Sequence, residues 1–187
     1  MSKKASLQAV DAAITLENRN SRIDMIAKVA LETSLGGNED FARCFFNLAF
    51  EFAQRTEKES DKLFNMLDVA SIQANSNNPE AAQIQFGEAR NYASNLQGGK
   101  FLINVAVKEA EAGFEEDALR IAQPITNPKE LAELAAIFAS RSYLEGFRQI
   151  LVSGLLDMDT IGKMCTCLAK ILPDQAEDIA EIVNKFM

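Results

Sequence analysis

The chain has no histidine and no tryptophan among its 187 residues, and only three cysteines and four prolines. Without an imidazole, Ser-His-Asp and Cys-His catalysis and the commonest zinc-ligand sets are excluded. Cys44, Cys165 and Cys167 are too few, and odd in number, for a disulfide framework, and no Asn-x-Ser/Thr sequon occurs. A reducing, cytoplasmic setting is the expectation. Nine glycines and four prolines give little punctuation for strands and tight turns, and no segment alternates as a strand does. The expected fold class is all-α.

Two further absences limit the partners. Nineteen basic against 27 acidic side chains give a formal charge of −8, with 13 acidic and 10 basic residues in 1–99 and 14 and 9 in 100–187. No basic stripe exists to neutralise phosphates, so nucleic acid is not an expected partner. Long apolar runs are also missing: Gln8, Asp11, Thr15 and Glu17 interrupt the stretch after Lys3 and Lys4, and nothing matches a signal-peptide core or a bilayer span.

What is present is helical periodicity. Leu131, Leu134, Ala135, Phe138 and Ala139 fall on one stripe; Ile161, Met164, Cys165, Leu168, Ala169 and Leu172 form a second, and Ile179, Ile182, Val183 and Phe186 a third. Asn127-Pro128-Lys129-Glu130 offers an N-cap, a proline at the first helical position and a glutamate at the third, Asn78-Pro79 opens a helix the same way, and Asp174 with Glu177 has capping-box spacing. Gly36-Gly37, Gly98-Gly99 and Gly113 are natural stops, and Pro124 ends or kinks its segment. The pattern predicts helices over 5–16, 21–35, 39–55, 58–76, 79–96, 100–112, 115–125, 129–142, 144–155, 159–172 and 174–186, joined by short connections within a single domain, 1–187. An irregular, aromatic-rich portion, 1–78, precedes a helical-repeat portion, 79–187.

The repeat is read from two shifts. Twenty-nine residues separate Ala89 from Ala118, Ala93 from Ala122, Leu102 from Leu131, Val105 from Leu134, Ala106 from Ala135 and Ala110 from Ala139; thirty more carry Leu131 to Ile161 and Leu134 to Met164. With Leu102, Val105 and Ala106, a turn at Gly113, then Ala118 and Ala122, residues 102–125 resemble a tetratricopeptide-type helix pair. The next unit keeps Leu131, Leu134, Ala135 and Phe138, with Ser142 in place of the turn glycine and Phe147 in place of the small residue. The likeness covers 89–172, with a period shorter than the family's 34 residues and without its tryptophan. It implies antiparallel helix hairpins stacked as a short right-handed α-solenoid of about 10–11 helices that binds another protein or peptide in a concave groove. Small acidic proteins of this build are similar to tetratricopeptide-type secretion chaperones. Carried over by position, the resemblance assigns the groove to Lys100, Ile103 and Val107 in one unit and Lys129, Ala132 and Ala136 in the next. The two lysines would grip an acidic group or a chain-terminal carboxylate.

The segment 39–55 is unusually aromatic. Phe41, Phe45, Leu48 and Phe52 lie on one stripe, with Phe46, Phe50, Ala42, Ala49 and Ala53 over the rest. A helix apolar nearly all round is covered on more than one side. It is either a central core helix or, through Phe46 and Phe50, an oligomer surface forming a homodimer.

Site motifs fail on their chemistry. Glu115-Glu116-Asp117 and Glu177-Asp178-Glu181 read as helix-start carboxylates that complement the dipole. Cys165 and Cys167 point about 200° apart on a helix, which rules out joint chelation, and Cys44 reads as a small buried hydrophobe. Asp157-Met158-Asp159-Thr160-Ile161-Gly162 starts like a calcium loop but has Leu168 at the position of the required glutamate. Gly98-Gly99-Lys100 lacks the flanking residues of a phosphate loop. No metal, no cofactor and no catalytic residue is expected. The reading is a non-enzymatic adaptor or chaperone-like scaffold, with a structural homo-oligomer and an enzyme using carboxylates, Lys, Arg or Tyr as the other classes.

Overall fold

A computed structural model describes residues 2–96, 100–123, 125–141, 143–153, 156, 159, 161, 162, 177, 180, 181 and 184. Its secondary structure, among these residues, is entirely helical, with α1 (Lys3–Ile14), α2 (Arg19–Leu35), α3 (Glu39–Gln54), α4 (Glu59–Ala74), α5 (Pro79–Asn95), α6 (Leu102–Glu111), α7 (Glu115–Ala122), α8 (Pro128–Ser140) and α9 (Leu144–Val152). The first two helices start two residues earlier than expected because their caps lie earlier: Ser2 Oγ accepts from Ala5 N–H at 3.3 Å and Asn18 Oδ1 from Ser21 N–H at 3.0 Å. Asn127 caps α8 as expected, through Lys129 N–H at 3.1 Å. The expected helices 159–172 and 174–186, the Cys165/Cys167 pair, the failed calcium loop, Gly98-Gly99, Pro124 and Ser142 lie wholly or largely outside the described residues.

The chain divides into two compact units, Met1–Phe101 and Leu102–Met187. Helix α5, expected with the repeat portion, packs on α4 in the first unit. Within that unit α1 packs on α2, α2 on α3 and α4, and α3 on α4. In the second, α6 packs on α7 and α8, and α8 on α9.

The first unit, expected to be irregular, is the more regular of the two. A shift of 40 residues carries α2 and α3 onto α4 and α5 with most of the same positions buried. It pairs Ile23 with Leu63, Val29 with Val69, Ala30 with Ala70, Ala42 with Ala82, Phe46 with Phe86, Ala49 with Ala89 and Ala53 with Ala93. Even the polar residue inside the first helix recurs, as Thr33 and then Gln73. The same shift places α1 on α3: its buried Ser6, Val10 and Ala13 stand forty residues before Phe46, Phe50 and Ala53. Thus α1 corresponds to the second helix of a hairpin, and its Ser6 Oγ accepts from Thr33 Oγ1 on α2 at 2.9 Å.

The second unit is assembled from shorter hairpins to the same plan. Val105, Ala106 and Ala110 on α6, and Leu134, Ala135 and Ala139 on α8, are all fully buried. Three of the four hairpin turns close identically: Asn38, Phe114 and Tyr143 each donate a backbone N–H to the carbonyl five residues back, at 3.1, 2.8 and 2.8 Å. This is a Schellman closure, and in the first two of them the preceding residue is a glycine in the left-handed region, Gly37 at φ 80° and Gly113 at φ 92°.

In both units the turn of the later hairpin is tied to the turn of the earlier one through an equivalent carboxylate. Glu39, first residue of α3, accepts from Ser34 Oγ at 2.9 Å and from Asn77 Nδ2 at 3.2 Å; Asn77 Nδ2 also donates to Ser34 C=O, and Asn77 N–H to Ser34 Oγ. Glu115, first residue of α7, accepts from Arg141 Nε at 2.7 Å, while Arg141 NH1 donates to Glu111 C=O at 3.0 Å. Ser34 is fully buried and joins three of these bonds. Its replacement by alanine should cost about 1–3 kcal/mol in urea unfolding, because Asn77 N–H and the Glu39 carboxylate lose their common partner. Adding Glu39→Ala to Ser34→Ala should cost less than the two separate losses together; strict additivity would show that the two groups act independently.

Candidate functional site

Each hairpin contributes a first helix (α2, α4, α6, α8) and a second helix (α3, α5, α7, α9). In the first unit α2 packs directly on α4, whereas α3 and α5 stand further apart and are bridged at the surface by Gln54 Nε2 donating to Glu88 Oε2 at 2.7 Å. In the second unit α6 likewise lies closer to α8 than α7 does to α9. The exposed faces of the first helices therefore form a continuous surface within each unit, on the side where the layer is tighter.

The expected groove positions differ in their exposure. Ile103 is only 8% exposed, while Val107, Ala132 and Ala136 are half-buried, because these positions flank the stripe that packs into the unit. Lys100 is exposed in the turn ahead of α6 rather than on it, and Lys129 is exposed in the first turn of α8. Glu111 on α6 and Glu133 and Ser140 on α8 are exposed, and Lys108 and Ile137 are half-buried like Val107 and Ala136. In the first unit the corresponding rows are Asp24, Lys28, Glu32 and Leu35 on α2, and Phe64, Asp68, Ile72 and Asn75 on α4.

Phe46 and Phe50, expected as an oligomer surface, are 1% and 6% exposed and belong to the core of their own chain. The stripe that buries α3 is Ala42, Phe45, Phe46, Ala49, Phe50 and Ala53, rotated from the expected Phe41, Phe45, Leu48 and Phe52. Small residues at Ala42, Ala49 and Ala53 let the neighbouring helices approach, and the larger rings at the flank are covered by cations: Lys3 Nζ lies 5.2 Å from the Phe41 ring centre and the Arg22 guanidinium 5.6 Å from that of Phe52. The same rotation turns Cys44 to solvent, where a buried hydrophobe was expected.

Among the described residues, no three His, Cys, Asp or Glu side chains stand close enough together to hold a metal ion. A cavity of about 170 Å³ in the second unit is lined by Leu119, Ala122, Ile125, Leu131 and Ile150 with Gln123, Gln149 and Ser153. It brings together no titratable group. Of the titrating residues, Tyr143 is raised above the ordinary phenol value by burial first, and then by the charges of Glu116, Glu145 and Glu115. A phenol so raised stays protonated at neutral pH. Asp61 is held below the ordinary carboxylate value chiefly by its hydrogen bond from Lys58, and Glu145 by its bond from Gln149, both at helix starts.

Comparison of the chain with family models, with curated proteins and with solved structures matches none of them. No helix among the described residues is long and apolar enough to cross a membrane.

Proposed function

We propose that the chain is a non-catalytic helical-repeat protein that binds another protein, as an adaptor or chaperone-like scaffold, through the exposed faces of its first helices. The observation that supports this reading is the contrast between core and surface along the repeat. The buried positions recur from α2 to α4 almost residue for residue, while the outward rows carry Asp24 against Phe64, Lys28 against Asp68 and Glu32 against Ile72. A scaffold that repeats its interior and varies its tight face offers a different side chain at each step, as stacked helix pairs of the α-solenoid, tetratricopeptide-like type do. In the second unit that face carries Lys129, with Val107 and Ala136 half-exposed, where an acidic group of the partner would be held.

The test places a photoactivatable residue at Glu32 or Glu133, on first-helix faces, and at Cys44 or Asn91, on second helices, in the full chain within its native cell. The reading expects a partner cross-linked from 32, from 133 or from both, and not from 44 or 91. Cross-links from the second helices alone, or none from any position, would overturn it.

A further inference from the structure

A buried amide of the first unit lacks a partner, and it lines a cavity. Gln73, in the last turn of α4, is 3% exposed, and its Oε1 accepts no hydrogen bond among the described residues. Forty positions earlier the equivalent Thr33 is bonded to Ser6 of α1 at 2.9 Å. In the next period the place of Ser6 is taken by the Phe46 ring, which offers no such partner. A cavity of about 40 Å³ lies against both Gln73 and Phe46, walled further by Ala42 and Ala81 and edged by Glu39, Ser76 and Asn78. Burying a carbonyl oxygen without a partner is unfavourable, so a hydrogen-bond donor is expected in this space.

The groups around the cavity select the donor. Glu39 Oε1 takes its bonds from Ser34 and Asn77, both neutral, and Oε2 takes none among the described residues, so a full negative charge remains. Asp40, also at the edge, is answered by Arg43 at 3.0 Å, and that pair adds no net charge. Asn78 makes no side-chain cap bond to α5, which leaves its amide oxygen as a further acceptor. The starts of α3 and α5 each oppose a cation by about half a charge, and the end of α4 returns about half; Glu39 and Glu80 in those first turns leave the balance negative. One carboxylate among neutral oxygens is too little for a divalent metal and suits a singly charged group with several N–H donors. We propose that the cavity binds the ammonium head of a small primary amine, which donates to Gln73 Oε1 and to Glu39 Oε2. At roughly 10–15 Å³ for each water-sized group, the space holds the nitrogen and one or two carbons. The site lies at the hairpin turns, away from the first-helix faces, and does not rest on the protein-binding reading.

The probe is methylammonium chloride, titrated into the full chain labelled with nitrogen-15, with sodium chloride keeping the ionic strength constant. Saturable shifts are expected at the Gln73 and Asn78 side-chain amides and in the first turn of α3. The dissociation constant should be on the order of 10 mM, near the limit for a ligand of two heavy atoms. Tetramethylammonium carries the charge without an N–H donor and should give no saturable shift. Gln73→Leu should weaken binding by about tenfold or more, while the thermal midpoint stays level or rises because an unpaired buried acceptor is gone. Glu39→Gln keeps an acceptor for Ser34 and Asn77 and should weaken binding by about tenfold through the lost charge. Glu57→Gln makes the same change of charge on a residue that does not line the cavity and should leave binding within about twofold. Shifts no larger than those of the sodium chloride reference would mean that water alone fills the cavity, and would overturn the proposal. Equal saturation by tetramethylammonium would overturn it as well, as would undiminished binding in Gln73→Leu or Glu39→Gln chains that circular dichroism shows to be folded. If Gln73→Leu fails to fold, Glu39→Gln measured against Glu57→Gln decides.

Discussion

Phe46→Ala should destabilise the first unit by about 3–5 kcal/mol, the range for deleting a fully buried aromatic ring. Phe46 is 1% exposed and lies between the buried Ala42 and Ala49 on α3. Phe86, its equivalent on α5 and also 1% exposed, should respond to alanine by a similar amount. Cys44→Ala, two residues away on the exposed side of the same helix, should shift the unfolding midpoint little, within about 0.5 kcal/mol. Urea unfolding followed by circular dichroism measures all three, and light scattering at the same concentrations adds a second readout. A Phe46→Ala chain that kept its midpoint but lost mass in solution would mean that the ring serves contact between copies and not the core.

Gly146→Ala should destabilise the second unit, although alanine is the better helix former by roughly 1 kcal/mol. Gly146 stands in the first turn of α9, and a β-carbon there would meet Tyr143 Cδ1 and Cε1 at 2.4 Å and Phe138 Cδ2 at 2.9 Å. Tyr143 packs edge-on against the Phe138 ring with 5.2 Å between centres, and Phe138 is fully buried on α8. The ring cannot swing away without breaking that contact, so overpacking of about 1–3 kcal/mol outweighs the gain in propensity. Adding Tyr143→Ser should return much of the loss, because it removes the two closest of the three atoms the new methyl strikes. The calorimetric midpoints of the two single variants and the double decide the matter: equal losses in Gly146→Ala with and without Tyr143 would show that the clash is not the cause.

Much of the fold was legible in the sequence because its signals are local. The Asn127-Pro128 start, the Asn78-Pro79 start and the stop at Gly36-Gly37 all lie where short-range chemistry placed them. The core register of 39–55 was not legible from periodicity. With phenylalanine at 41, 45, 46, 50 and 52, a helix offers two apolar stripes of similar weight, and only the positions of Ala42, Ala49 and Ala53 distinguish them. Close helix approach requires small residues on the buried side, so the alanines, more than the rings, mark the packed face. The forty-residue repeat was hidden for a related reason. Its fixed points are mostly alanines, with polar residues at Thr33 and Gln73, and these carry little weight when large hydrophobes are aligned first.

The exact period of the first unit sets a rule for changes of chain length. Excising residues 39–78 joins Asn38 to Pro79 and brings α5 to the place of α3, where Ala82, Phe86, Ala89 and Ala93 supply the stripe that Ala42, Phe46, Ala49 and Ala53 supplied. The joined segment keeps its phase against α2, and the shortened unit retains a contiguous core. An excision of 39 or 41 residues within a helix would turn every following side chain by about 100° about the axis and set charged positions against the core. The first unit is in this sense a counted structure, in which length can change by whole periods while its interior stays in phase.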